Sequence, residues 1–446
     1  MSQTTQGNIA DPVVIVGAGI AGLICAIELR RLGRTSIVFE AGSAVGGRVR
    51  TSVVNGVTLD HGFQVLFTAY PTLNAYLDRD ALRLRPFLPA ARIVRDGHVS
   101  LIGDALRDPA LLVDTVLSRA VSIGDKLRLL ALRRFAQQLS IDECFGARFD
   151  SVSTSAFLES RGFGPAVIDG FFAPFYGGIL LDRTLSTSAS ILLFTFKMLA
   201  EGTTAVPALG MGAISAQLAA QLSTGTVRLD SAVHAITSHD GYVSGVMLRD
   251  GSHVAATQVV LATEPPAAAK LAATVGVTLT VPTGARGCTT LYYTTPRSPL
   301  PGKALWLNAE AQAIISHAVT LTDVAPEYAT GQSLIAATAL GEAAELSDEL
   351  LDAAAQREIR AMARANGDAR DTSLTRLAIW RVPYAQFAQP PGWREQRPTI
   401  ACGFPGLWRA SEVLHSSSLE GAARGGQSAA RALASSALAS SALASS

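Results

Sequence analysis

The ten residues VVIVGAGIAG, Val13 to Gly22, restrict this chain more than any other stretch. Val13-Val14-Ile15-Val16 is a β-branched run with the composition of a buried parallel strand. Gly17, Gly19 and Gly22 follow at once in the order G-x-G-x-x-G. Leu23, Ala26, Ile27 and Arg30 then fall at helical spacing, with Gly33 as the stop. Ser36-Ile37-Val38-Phe39 reads as a second strand and ends at Glu40. Strand, glycine turn, helix, strand and acid together form a βαβ dinucleotide-binding unit; the glycines alone would carry little weight. Each part has a physical task. Gly17 turns the chain tightly, Gly19 lets a pyrophosphate approach the backbone, and Gly22 lets helix and strand pack closely. The helix start at Ile20 and Ala21 offers unpaired N–H groups and a partial positive charge to phosphates. Glu40, followed by Ala41, can accept hydrogen bonds from ribose hydroxyls and would repel a 2′-phosphate, which disfavours NADP.

The residues after the acid separate two cofactors. The chain continues A-G-S-A-V-G-G-R, where an NAD domain would begin its next helix. A second glycine pair, Gly46-Gly47, followed by Arg48 reads instead as a loop lying along an extended dinucleotide. The planar fork of Arg48 suits a pyrophosphate. Asp60-His61-Gly62-Phe63-Gln64 comes next, as the most notable polar cluster. Gly62, Phe63 and Gln64 are candidate cofactor contacts. His61 is the candidate acid or base near neutral pH, against the alternative of a loop histidine satisfied by hydrogen bonds. Asp60 reads as a structural acceptor.

Composition excludes several classes. The 446 residues suggest two or three domains at roughly 100–200 residues each. Hydrophobic residues make up 48% and charged residues 16%, against a usual charged share of about 25%. A net charge of +1 gives no reason to expect nucleic acid. No uninterrupted apolar run is long enough to span a membrane. The N-terminal MSQTTQGNIADP lacks the order of a signal peptide. Cys25, Cys144, Cys288 and Cys402 lie far apart, which fits a reducing compartment and argues against a disulfide framework or zinc site. A cytoplasmic location is the default. The seven histidines show no metal-ligand spacing, and no G-x-S-x-G occurs.

The combination G-A-G-I-A-G-L, F-E-A, V-G-G-R and L-D-H-G-F resembles the flavin amine oxidase and phytoene desaturase superfamily. Softer matches lie further on. Val206 to Ile214 is similar to the family's P-x-G-G-M segment. Val233-His234-Ala235-Ile236 stands where the family runs a strand past the adenine. Val259 to Thr263, with Ala262, resembles its apolar strand ending in Ala-Thr. Ser411 to Ala430 resembles the closing flavin segment. The resemblance implies non-covalent FAD, held also by Val233, Ala262, Glu412, Leu419, Glu420, Gly421 and Ala422. The family reads Gly-Asp where this chain has Ser411-Glu412, so Glu412 would meet the ribityl–phosphate region with one methylene more. Gly425-Gly426 replaces the family's Ser-Gly and leaves little side chain to block approach to the flavin. From the residues alone, Leu419 to Ala423 opens a small-residue helix ending near Leu433. Its N-terminus, with Gly421, can aim N–H donors at a flavin edge, and its small residues equally suit close packing.

These features predict an α/β fold: a Rossmann-type, discontinuous FAD-binding domain with an inserted mixed α+β substrate domain and a helical cap. The cofactor layer is assigned to 11–66, 206–265 and 395–432. Residues 67–205 read as a mostly helical cap, 266–394 as the substrate domain, and the small-residue repeat at 433–446 as a disordered tail. Thr289 to Thr294 is β-rich, and Leu346 to Ala365 has a helical pattern with Gly367 beyond it.

Hydride transfer to a flavin asks little of side chains beyond orientation and exclusion of water. Phe175 and Tyr176, in an aromatic run from Phe171, together with Trp380, Tyr384 and Trp408, are candidates to wall an apolar cavity; core packing is the competing reading for each. Many amine oxidases of the resembled family carry a lysine on a strand that here reads Gly287-Cys288-Thr289-Thr290. The expected function is therefore an FAD-dependent oxidoreductase removing hydride from an apolar small molecule or lipid. Three alternatives stay open: an amine oxidase giving an imine and hydrogen peroxide, a redox-neutral flavin isomerase, and a non-catalytic lipid-binding escort. Asp125 to Phe135 reads as a basic amphipathic helix, a candidate for peripheral membrane contact or a solvated cap.

Overall fold

The computed structural model describes residues 11–118 and 121–444, with side chains to Ser436. Of the segment read for a signal peptide, residues 1–10 lie outside it. The β-branched run forms the centre of a five-stranded parallel sheet. Its order is Val227–Arg228, Ser36–Phe39, Val13–Val16, Val259–Leu261 and Leu407–Arg409. All four residues of the Val13–Val16 strand are buried, as expected where helices cover both faces. The helix Ile20–Arg31 follows the glycine turn directly. A three-stranded antiparallel sheet, Val233–His239, Tyr242–Leu248 and His253–Ala255, is carried beside this core.

The second layer is a seven-stranded sheet. Its order is Thr375–Phe387, Ala285–Thr295, Ser333–Leu340, Ile315–Thr320, Leu305–Asn308, Ala90–Arg95 and His98–Gly103. One face packs on the helix Asp348–Ala365 through Leu291, Trp306, Ile335 and Ile359. The other carries Tyr292, Val319 and Ala336 into the main core.

One sequence expectation is filled out here and one is corrected. The 67–205 insertion is not only helical: its hairpin Ala90–Arg95 and His98–Gly103 completes the large sheet through a parallel pairing of Ala91 with Leu305. Its partner strand lies more than 200 positions away, so local pattern does not reveal it. The tail assigned as disordered from 433 continues the helix Leu419–Ala444 through its described part. Alanine has the highest helix propensity, and that outweighs low complexity.

The first and last helices are held together by close approach and by one buried acid. A Cβ on Gly426 would stand 2.2 Å from Ala21 O. Glu28 is 5% exposed and accepts from Tyr76 OH at 2.8 Å and Arg431 Nε at 2.8 Å. Burial pushes its carboxyl up, but Tyr76 and Arg431 outweigh that and hold it below the ordinary range.

Candidate functional site

The glycine loop is built as its residue types require. Gly17 has φ +107°, and a Cβ there would meet Ala262 O at 2.8 Å. A Cβ on Gly22 would lie 2.0 Å from Gly17 O. Gly19 differs: a Cβ there would point into open space. That open side, beside the amides that begin the helix at Ile20 and Ala21, is what a pyrophosphate needs. The second glycine pair folds back onto the first. Gly46 N donates to Ala18 O at 2.8 Å, and Gly46 pairs with Gly19 as a parallel bridge. Gly46 has φ +114°, and a Cβ would meet Val49 O at 2.2 Å, so no other residue fits there.

Glu40 ends its strand at the same loop. Its Oε2 accepts from Ala18 N at 2.8 Å and its Oε1 from Gly42 N at 2.9 Å. Ala41 is exposed beside it. The segment leading to Val233 runs alongside, with Ser231 N donating to Glu40 O at 2.8 Å. Ala262 closes the loop from the neighbouring strand, its N–H on Val16 O at 2.8 Å.

Arg48 and Glu412 are brought together. Arg48 Nη2 donates to Glu412 Oε1 at 2.5 Å and Nη1 to Ala385 O at 3.1 Å. Burial pushes Glu412 up, but the Arg48 charge and hydrogen bond, with the bonds from its own backbone and Ser411, together outweigh it and hold the carboxyl below its ordinary range. Tyr384 stands close enough to feel both charges, and its hydroxyl is a buried polar atom with no protein partner. The same is true of Trp380 Nε1. A buried donor left unpaired costs stability unless another group supplies the bond. Open space at Gly19, two folded glycine loops and these orphaned donors fit an extended dinucleotide bearing a polar ring.

The polar cluster beyond the loop splits into different roles. Asp60 is a buried acceptor, as expected: Oδ1 takes Thr51 Oγ1 at 2.5 Å and Met211 N at 2.8 Å, and Oδ2 takes Tyr328 OH at 2.9 Å. Desolvation dominates those bonds and pushes its carboxyl up to about 6. His61 stacks on Trp380 with centroids 4.0 Å apart, and its Nε2 meets Ser52 Oγ at 2.8 Å. Burial, then Arg50, lowers its pKa and favours the uncharged ring. Gly62 turns with φ +90° against Val382. Phe63 N donates to Thr290 Oγ1 at 3.1 Å, and Gln64 Nε2 ties the loop to Arg48 O at 2.7 Å.

That loop lies on a row of side chains that crosses the large sheet. Trp380 pairs with Thr290, Thr290 with Thr338, and Thr338 with His317. Cross-strand partners project from the same face. His61 stacks on the first member, Phe63 N bonds the second, and the Phe63 ring packs 5.2 Å from His317. Sequence reasoning missed Thr338 and His317. The strand Ile315–Thr320 is buried throughout and shows no alternation, so a histidine in an apolar strand was the only signal.

Several expected contacts are corrected. The Glu420 carboxylate is turned away to cap a short helix, accepting from Thr72 N and Leu73 N at 3.0 Å. Gly421 N is taken by Ser418 Oγ at 2.9 Å and Ala422 N by Ser418 O at 2.9 Å, leaving Leu419 and Glu420 to present the first-turn amides. Gly425 and Gly426 pack on Ser411 O and Ala21 O, so their small size serves protein contact. Tyr176 sits in the core between Phe172 and Phe196. Phe175 is half-buried in a stack with Phe171. Trp408 bonds Gln258 within the parallel sheet. Among the described residues no group of three or more His, Cys, Asp or Glu is placed to hold a metal.

Fold and site together define a dinucleotide-binding α/β protein whose large mixed sheet meets the loop that follows the second glycine pair. The family of flavin containing amine oxidoreductases matches residues 20–434, and the chain belongs to it. FAD is accordingly the cofactor, and the escort reading is set aside. Among curated relatives, protoporphyrinogen oxidase 2, chloroplastic/mitochondrial, of Arabidopsis thaliana is 32% identical over 170 residues, covering 37% of this chain and 32% of the relative. The match thus spans about a third of that relative's length. Among solved structures, a putrescine oxidase triple mutant superposes with a TM-score of 0.68 at 18% identity, covering 95% of this chain and 98% of the other. An oxidoreductase from Methanosarcina mazei does so at 0.68 and 19% identity, covering 94% and 99%. At such identities these likenesses establish the fold alone.

Proposed function

We propose that this protein is an FAD-dependent dehydrogenase of desaturase type, removing hydride from a carbon of an apolar small molecule or lipid. The flavin, held along the Gly17–Gly22 and Gly46–Arg48 loops, supplies the hydride acceptor. The cross-strand row carries the reading. The stretch that resembles the lysine-bearing strand of the family's amine oxidases reads Gly287-Cys288-Thr289-Thr290, without a lysine, and Thr290 is bonded to Phe63 N and 3.1 Å from Thr338 Oγ1. The chain's task is then to orient an apolar substrate and exclude water. His61, stacked and bonded, positions Trp380 and the loop.

The test is oxygen reactivity. The bound flavin is reduced with dithionite without air and then mixed with oxygenated buffer. Slow reoxidation is expected. Fast reoxidation with one peroxide per flavin would move the assignment to amine oxidation, a reading favoured by the aromatic faces of Trp380 and Tyr384 near the loop and by the putrescine oxidase likeness. An isomerase would use the same residues and is separated by turnover without consumption of an acceptor.

Peripheral membrane contact belongs to the same reading. No described helix is long and apolar enough to cross a membrane. Yet Leu106, Leu112, Val113, Val116, Leu117, Ile123, Leu127 and Leu130 are all exposed within 25 positions, beside the exposed Arg128 and Arg134. Clustered exposed apolar groups with basic neighbours suit an anionic bilayer surface. Cosedimentation with phosphatidylglycerol vesicles should be lost on replacing Leu117 and Leu127 with Gln.

A further inference from the structure

His317 is the most buried histidine described, 3% exposed, and neither ring nitrogen has a protein partner. The other members of its row differ from it, for even Trp380, whose Nε1 also lacks a protein partner, is held by stacking. Thr290 and Thr338 bond each other, Thr290 Oγ1 accepts from the Phe63 amide, and Trp380 stacks on His61. Burial, with the Arg183 charge adding to it, lowers the imidazole to about 4, so at pH 7 it is neutral and offers one donor and one acceptor. Two surfaces pack against the ring. The Phe63 ring, on the loop beyond the cofactor motif, is 5.2 Å away. Gly178, on the helix Ala173–Leu180, faces Nδ1 so closely that a Cβ there would stand 3.2 Å from it. His317 thus lies where sheet, cofactor loop and cap meet. Arg183, held by Asn308 O at 3.3 Å and Ala313 O at 3.4 Å, is the charge it feels.

We propose that His317 is the hydrogen-bonding anchor of the substrate cavity, selecting an apolar substrate that carries a hydroxyl, carbonyl or carboxylate over one that carries an ammonium. The imidazole supplies the complement to an oxygen group, and the Arg183 guanidinium favours a neutral or negative group and opposes a cation. A residue larger than Gly178 would press on Nδ1. The inference rests on the reading that the cavity lies between this row and the cofactor loops.

The test uses the FAD-loaded protein and four matched probes: 2-methylnaphthalene, 2-naphthol, 2-naphthoate and 2-naphthylmethylammonium. Binding is read by perturbation of the flavin spectrum and by calorimetry. The two oxygen-bearing probes are expected to bind roughly tenfold tighter than methylnaphthalene, the size of one net hydrogen bond, and the ammonium no tighter. His317→Phe should erase the preference, His317→Gln should keep it for naphthol, and Gly178→Ala should reduce it with the histidine intact. A preference that survives in His317→Phe, or an ammonium bound tightest, overturns the inference. If methylnaphthalene perturbs the flavin but no preference exists, the anchor falls and the cavity stands. If no probe perturbs the flavin, the cavity placement falls and takes the anchor with it.

Discussion

Arg48 Nη2 and Glu412 Oε1 stand 2.5 Å apart although 364 positions separate them in sequence. The pair locks the second glycine loop to the closing segment. The Glu412 side chain is only 7% exposed, so removing one partner strands a buried charge. Arg48→Met should cost about 3 kcal/mol or more, read as a fall in the urea midpoint at pH 7. Arg48→Met with Glu412→Leu should recover part of it. Glu412 has a depressed pKa in the fold. Its contribution is therefore present above the unfolded value and lost as pH falls through the folded one. An Arg48→Met loss that does not shrink in acid would disprove this assignment.

Asp60 behaves in the opposite sense. Desolvation raises its carboxyl to about 6, above the unfolded value of about 3.9. The folded state then binds a proton more tightly, and the contribution of this group is lost as pH rises from about 4 through 6. Asp60→Asn keeps an acceptor for Thr51 and Met211 and offers a donor to Tyr328. Thermal melts at pH 4.5 and 7 should show the variant gaining on the native protein at the higher pH. Parallel pH profiles would remove Asp60 as the source.

Glu40 and Glu420 should separate cofactor from packing. Glu40→Ala is expected to lower flavin retained through purification by tenfold or so, with about 1 kcal/mol of stability lost from the Ala18 and Gly42 amides. Glu420→Ala should cost about 1–2 kcal/mol through the uncapped Thr72 and Leu73 amides, while flavin content stays unchanged. The 450 nm absorbance per protein, with a melt on the same sample, reads both. Equal flavin loss in the two variants would argue against the division.

His61→Ala should leave flavin bound but free Trp380, whose ring it covers at 4.0 Å. Tryptophan fluorescence should become more quenchable by acrylamide. Turnover should fall by less than the hundredfold that loss of a general base brings. A larger fall in turnover with quenching unchanged would return His61 to acid–base work.

Backbone demands were legible in the sequence because they are local. Gly17, Gly22 and Gly46 are fixed by turn and close contact within one βαβ unit and its next loop. Glu40 follows from strand length alone. What stayed hidden depends on register between distant segments. The row Trp380, Thr290, Thr338 and His317 exists only once four strands are aligned. The use of Glu420 depends on a helix start 348 positions earlier. Gly425 and Gly426 were legible as small residues, but whether protein or cofactor approaches them is a matter of tertiary contact. The tail shows a local signal misread, since alanine propensity outweighs repetition.

The central claim is hydride removal from an apolar carbon by bound FAD. The most direct measurement is the visible spectrum of the purified protein under anaerobic conditions, titrated in turn with an isoprenoid such as squalene or phytoene and with primary amines. Bleaching of the flavin band by an isoprenoid and not by the amines is the predicted result. Bleaching by an amine alone, or a protein that takes up no FAD, would contradict the account.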